Sequence, residues 1–172
     1  LTDLFATVAA IVGTDAPSGS CEDSVSFLPA LAGDPIVSTR AGVVHHSISG
    51  HFAYRQNNWK LLLARGSGGW TSPKENEVAE DAPHAQLYDL TADPGERTNL
   101  YLKKPQLAER LLAQLKADIT TGRSTAGARS KNDVEPIILW KTESSASNNQ
   151  KTPRQPRQEN KRPAKRNTAN KQ

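Results

Sequence analysis

The chain has 172 residues, 35% of them hydrophobic and 5% aromatic, a supply that suits one modest core and leaves residues over. No apolar run approaches the length of a membrane-spanning helix. The formal charge of +4 divides unevenly: eight of the 22 Lys and Arg and one of the 18 acidic residues follow Glu143, leaving 14 basic against 17 acidic before it. The basic character therefore belongs to the last segment, not to the expected folded part.

Thr2 to Val12 has Leu4, Phe5, Val8, Ile11 and Val12 at helical spacing. Thr2 or Asp3 is placed to cap its start, and Gly13 to take the left-handed position after its end. The Pro-, Gly- and Ser-rich stretch that follows reads as a loop holding the single cysteine, Cys21, a free loop thiol. The segment "FLPALAG" reads as a single helical turn.

Three strands are expected next, at Val43–Ile48, His51–Arg55 and Trp59–Ala64. Gly50 and the Gln56-Asn57-Asn58 triplet punctuate them as turns, so the three form an antiparallel meander. The loop from Arg65 to His84 is long and glycine-rich at its start, and "AQLYDL" is a fourth strand. Pro105 to Thr121 is the clearest helix. Pro105 suits a first turn, Leu107, Leu111, Leu112, Leu115 and Ile119 form one stripe, and Gly122 stops it. Ile137 to Trp140 is an apolar run, expected as an edge strand or a docking segment. From Ser144 on there is no large apolar residue, and disorder is expected.

The expected fold is thus α+β. It is a small antiparallel sheet of about four strands packed against a C-terminal helix, preceded by one more helix and followed by a basic tail. The first helix carries more apolar surface than the module needs, so a missing neighbour is expected to cover it. The chain has no methionine and opens on "LTDLFATVAAIVG". It is accordingly expected to be a fragment of a longer protein or a processed product.

The densest chemistry lies in "HHSISGHFAYRQNNWKLLLARGSGGW". Adjacent strand residues point to opposite faces, which separates His45 from His46 as ligands of one ion. No carboxylate in the hairpin completes a metal shell. No G-x-S-x-G elbow supports Ser47, His46 and Asp89 as a triad. The "GSGG" run lacks the Lys-Ser/Thr pair and following helix of a phosphate cradle, and reads as a docking loop. Arg55, Trp59 and Lys60 fit a hairpin with solvated charges better than a nucleic-acid platform.

Three segments, in order, resemble the sulfatases: "LTDLFATVAAIVG", "HHSISGHFAYRQNNWKLLL" and "QLYDLTADPGERTNLY". The last is the most diagnostic, and the likeness spans about residues 1–125. In that last segment Asp93-Pro94-Gly95 is turn chemistry, and Glu96 and Asn99 are placed to tie up backbone groups before Leu100 re-enters the core. The likeness implies the C-terminal region of an arylsulfatase-like enzyme, with residues 1–40 ending a large α/β catalytic domain. Residues 41–125 would be the smaller C-terminal subdomain, 126–143 an extension and 144–172 the disordered basic tail. The family hydrolyses sulfate esters with a formylglycine made in a Cys/Ser-x-Pro-x-Arg motif and with calcium. Cys21 is followed by Glu22, Asp23, Ser24 and Val25, so it is not that precursor. The resemblance implies calcium in the parent enzyme with ligands outside this chain, and none bound by the chain itself. It further implies the missing N-terminal catalytic domain and a sulfated carbohydrate or aryl sulfate as partners, no membrane contact, and a periplasmic or secreted location. On this reading the chain alone is inactive. His46, Ser67, Gly69 and Trp70 are the residues expected near substrate. The competing expectations are a non-enzymatic α+β binding module whose basic tail binds polyanions or nucleic acid, and a bare structural domain.

Overall fold

The computed structural model describes residues 1–17 and 19–141. Seven elements follow in order: α1 (Leu4–Ile11), α2 (Leu28–Leu31), β1 (Val43–His46), β2 (Phe52–Gln56), β3 (Trp59–Leu62), β4 (Gln86–Asp89) and α3 (Pro105–Thr121). The strands make one antiparallel sheet in the order β1-β2-β3-β4. The α+β architecture expected from the sequence is borne out.

Register follows from burial. Val44 pairs with Tyr54, Tyr54 with Leu61, and Leu61 with Leu87, so one apolar row crosses all four strands. Tyr54, Leu61 and Leu87 are fully buried in a cluster with Leu63, Ala85, Ala108, Leu111 and Leu115. The last three lie on α3 at helical spacing, which lays that helix across the sheet face. Slipping a strand by one residue would turn its half of the row to the opposite face, so the packing fixes the pairing.

Turn chemistry sets the strand ends. Asn57 sits at φ 53 in the two-residue connection between β2 and β3, a conformation asparagine tolerates. Between β1 and β2 the Gly50 amide donates to the Ser47 carbonyl at 2.9 Å, and the Ser47 amide to that of His51 at 2.9 Å. That turn ends β1 at His46, two residues earlier than expected, and leaves Ile48 exposed. β3 likewise ends at Leu62, although Leu63 continues the ladder by donating to the Phe52 carbonyl at 2.8 Å.

α3 has the bounds the sequence predicts, with Pro105 in its first turn and Gly122 at φ 71 after its end. The Ile137–Trp140 run is not a strand. Leu139 and Trp140 dock on the main core, and Trp140 meets His84 edge to face with centroids 5.0 Å apart. The expected tail, residues 144–172, lies outside the described residues.

α1 is shorter than expected and is capped at Asp3 without a side-chain hydrogen bond to its own amides. The Asp3 carboxylate is committed elsewhere. It accepts from the Val25 amide at 2.9 Å and pairs through both oxygens with Arg40 at 2.6 Å, tying α1 to the connection that leads into the sheet. The Arg40 guanidinium, with help from the Val25 amide, holds the Asp3 carboxyl below its usual 3.8. A depressed folded-state value stabilises the fold above the unfolded value, and that contribution disappears as pH falls through the folded one. Thermal melts from neutral pH down past 3.8 should therefore show an acid-side loss of stability that is smaller in Asp3→Asn. An identical acid limb in the variant would contradict this assignment.

Candidate functional site

Where β3 leaves the sheet, the chain runs from Leu63 into a loop fastened at many points. Glu75 accepts the Arg65 and Gly66 amides, one on each carboxylate oxygen, both at 2.9 Å. Gln86 on β4 donates to the Ala64 carbonyl at 2.8 Å and the Gly66 carbonyl at 2.6 Å. The Ser67 amide reaches the Pro73 carbonyl at 2.7 Å. The Lys74 ammonium donates to the Gly69 carbonyl at 3.1 Å and to that of Trp70. Arg65 donates to the Glu80 carbonyl at 2.9 Å and the Ala79 carbonyl at 2.5 Å. A glycine is required at position 66: a Cβ there would stand 2.6 Å from the Pro73 carbonyl oxygen.

The loop walls a pocket of about 630 Å³ whose lining includes His51, Ser67, Gly69, Arg65, Lys74 and Lys141, a size that fits a small organic ligand. His51 is 4% exposed. Its backbone amide donates to Ser47 Oγ at 3.2 Å, and its ring Nδ1 lies 3.2 Å from the Leu63 carbonyl. A carbonyl only accepts, so Nδ1 carries the proton.

The four residues expected near substrate divide. Ser67 and Gly69 line this pocket. Trp70 stands beside it on the loop, 81% exposed, with its indole offered to solvent. His46 stands apart at the end of β1, exposed and meeting Phe52 edge to face with centroids 5.4 Å apart. His45 and His46 pair with Ala53 and Phe52 respectively, and so take opposite faces as strand parity requires. Among the described residues no group of three His, Cys, Asp or Glu side chains converges to hold a metal ion.

Sequence reasoning did not single out Arg65, Lys74 or Lys141. Lys141 had no signal, because only the docking of Leu139 and Trp140 brings it back to the sheet.

The "QLYDLTADPGERTNLY" segment is architectural. Asp89 Oδ1 accepts from Asn58 at 2.7 Å and from the Thr91 amide at 3.1 Å, and the Asn58 bond holds the Asp89 carboxyl below its usual range. Asp93 accepts the Arg97 and Thr98 amides, both at 2.7 Å. Asn99 accepts the Leu87 and Tyr101 amides at 3.0 and 2.9 Å, which returns Leu100 to the core. The sequence reading gave Glu96 a backbone-binding role as well. Glu96 instead grips the Lys60 ammonium at 2.6 and 2.8 Å, and Asp93 binds the amides, because Glu96 sits at φ 53 with its side chain turned toward β3.

No protein-family profile matches the chain. It is similar to N-acetylgalactosamine-6-O-sulfatase of Bacteroides thetaiotaomicron, 29% identical over 109 residues, which cover 63% of this chain and 21% of the relative. It is also similar to arylsulfatase K of Rattus norvegicus, 27% identical over 144 residues, covering 82% of this chain and 24% of the relative. One similar solved structure comes from work on the metabolism of multiple glycosaminoglycans by Bacteroides thetaiotaomicron. It is 27% identical with a TM-score of 0.52, over 67% of this chain and 24% of that one. The resemblance to sulfatases is thus borne out, and the chain spans about a quarter or less of the relatives it matches.

Gly66→Ala should loosen the whole loop, since the added methyl displaces the Pro73 carbonyl. Hydrogen exchange at the Arg65 and Ser67 amides should quicken about tenfold or more, as expected for loss of 1–2 kcal/mol locally, with α3 unchanged. Unaltered exchange at those two amides would refute the strict need for glycine.

Proposed function

We propose that this chain is the C-terminal portion of a sulfatase that hydrolyses sulfate esters of a sulfated carbohydrate or an aryl sulfate. The observation that carries the reading is the match to sulfatases over a segment covering about a fifth to a quarter of their length. The aspartates and the asparagine of its most diagnostic motif are spent on backbone amides, so that motif shapes the fold and leaves chemistry to other residues. In this reading the formylglycine and the calcium belong to segments outside the chain, and the chain alone turns nothing over. The longer protein is periplasmic or secreted. No helix among the described residues is long and apolar enough to cross a membrane.

The remainder of the same protein is the partner proposed for α1. That helix exposes Leu4, Phe5, Val8 and Ile11, with Val12 just beyond it, and all of these but Ile11 form with Leu1 much of the wall of an almost wholly apolar hollow. A contiguous apolar face of this kind marks an interface and not a solvated surface.

The chain's contribution to catalysis is one wall of the substrate pocket. Lys74 and Glu75 hold the loop in place, Ser67 offers a hydroxyl, and Trp70 presents a flat aromatic face on which a sugar ring can stack.

Reading the coding sequence upstream of Leu1 tests the family assignment. A Cys/Ser-x-Pro-x-Arg motif is expected there, and a start codon immediately before Leu1 would contradict it. In the complete enzyme, Trp70→Ala should raise KM for a sulfated sugar by about tenfold, the cost of one lost aromatic contact, with kcat little changed. Kinetics unaltered across several sulfated substrates would remove Trp70 from the site.

A further inference from the structure

The pocket beside the Ser67–Gly69 loop is electrically unbalanced. Three cationic side chains line it, Arg65, Lys74 and Lys141, against one acid, Glu75. Both Glu75 oxygens accept backbone amides, which fasten that carboxylate to the loop, and its one negative charge leaves the lining net positive. The partners of Arg65 and Lys74 are carbonyl oxygens, which satisfy donors but neutralise no charge. Arg65 Nε is buried with no hydrogen-bond partner. His51, almost wholly buried, also lines the pocket. Its proton is committed at Nδ1, and Nε2 takes no partner among the described residues.

The third cation comes from the far end of the fold. Leu139 and Trp140 pack on the core, and Lys141 follows them over the turn between β1 and β2. At Gly50 a Cβ would lie 3.3 Å from Lys141 Cε and 3.5 Å from its Nζ, so the lysine stem rests on that turn with its ammonium at the pocket. Lys141 lies beyond the segment whose residues carry the sulfatase resemblance.

We propose that this pocket binds an anionic oxygen group, a sulfate or a carboxylate, carried on a sugar, and that Lys141 is its deciding cation. The sugar rests on the sulfatase reading above, whereas the anion follows from the charges alone. At about 630 Å³ the pocket is larger than one inorganic ion requires. Ser49, Ser67 and Asn76 on its wall supply neutral hydrogen-bonding groups of the kind that meet ring hydroxyls. Charged hydrogen bonds to an anion are the stronger ones, and here they form in a cleft partly screened from water. The site would hold a negative group of the substrate other than the one being cleaved, and so would select polyanionic sugars over neutral aryl sulfates.

The test is a titration of the complete 172-residue chain, labelled with nitrogen-15, at constant ionic strength. Sodium sulfate and sodium glucuronate are the probes and sodium chloride is the control. Saturable shifts of the Ser67, Gly68 and Gly69 amides are expected with at least one probe, and the tighter probe names the group. Lys141→Gln should weaken that binding about tenfold, the worth of one charge-assisted hydrogen bond, and Lys141→Arg should largely restore it. The α3 amides should keep their positions in both variants, which separates loss of a ligand from loss of the fold. A linear drift equal to that with chloride, or equal affinity in Lys141→Gln, would overturn the proposal. Anion binding together with an upstream sequence lacking the Cys/Ser-x-Pro-x-Arg motif would sink the sulfatase reading and leave the anion site standing.

Discussion

Everything in the described fold depends on the apolar row Val44–Tyr54–Leu61–Leu87 and the helix that closes on it. The row spans every strand, and Leu111 and Leu115 cover it from α3. With the period of two locked, Leu63 and Ala64 must leave β3 at one point and in one direction. The loop that follows is therefore delivered to a fixed place beside the turn between β1 and β2. The pocket is a consequence of the register and is not an independent feature.

The polar residues divide by what their atoms are committed to. Glu75, Asp89, Asp93 and Asn99 receive backbone amides and fasten turns. Those bonds commit the side chains to shaping turns, which is the part the carboxylate-rich segment plays in the fold. Lys60 on β3 pairs with Glu96 in the connection after β4. Arg65 and Lys74 beside the pocket bond to carbonyl oxygens, which leave their charge unneutralised, and this sets the pocket apart from the acidic motif.

The sequence disclosed most where several local signals agreed. α3 was read with its true ends because a proline, an apolar stripe and a glycine all specify the same 17 residues. The meander was also readable, since alternation and asparagine turns act within a few residues. Strand ends were not, because Ile48 and His51 are β-compatible residues that the turn at Gly50 takes out of the ladder. The pocket was half visible. Ser67 and Gly69 stood out through the glycine run, but Lys141 reaches the site only by tertiary docking, which no local pattern encodes. Glu96 was assigned a role that Asp93 fills, since sequence spacing does not reveal which carboxylate a tight turn points inward.

The central proposal is that this chain is one part of a larger sulfatase, whose remainder covers α1. The exposed face of Leu4, Phe5, Val8 and Ile11 then exists to be covered. Amide hydrogen exchange compared between the 172-residue chain and the longer product of its gene tests this directly. The account predicts that the amides of Leu4–Ile11 exchange quickly in the chain and become strongly protected in the longer protein, while those of Pro105–Thr121 are protected in both. Equal protection of the first helix in the two forms would contradict it.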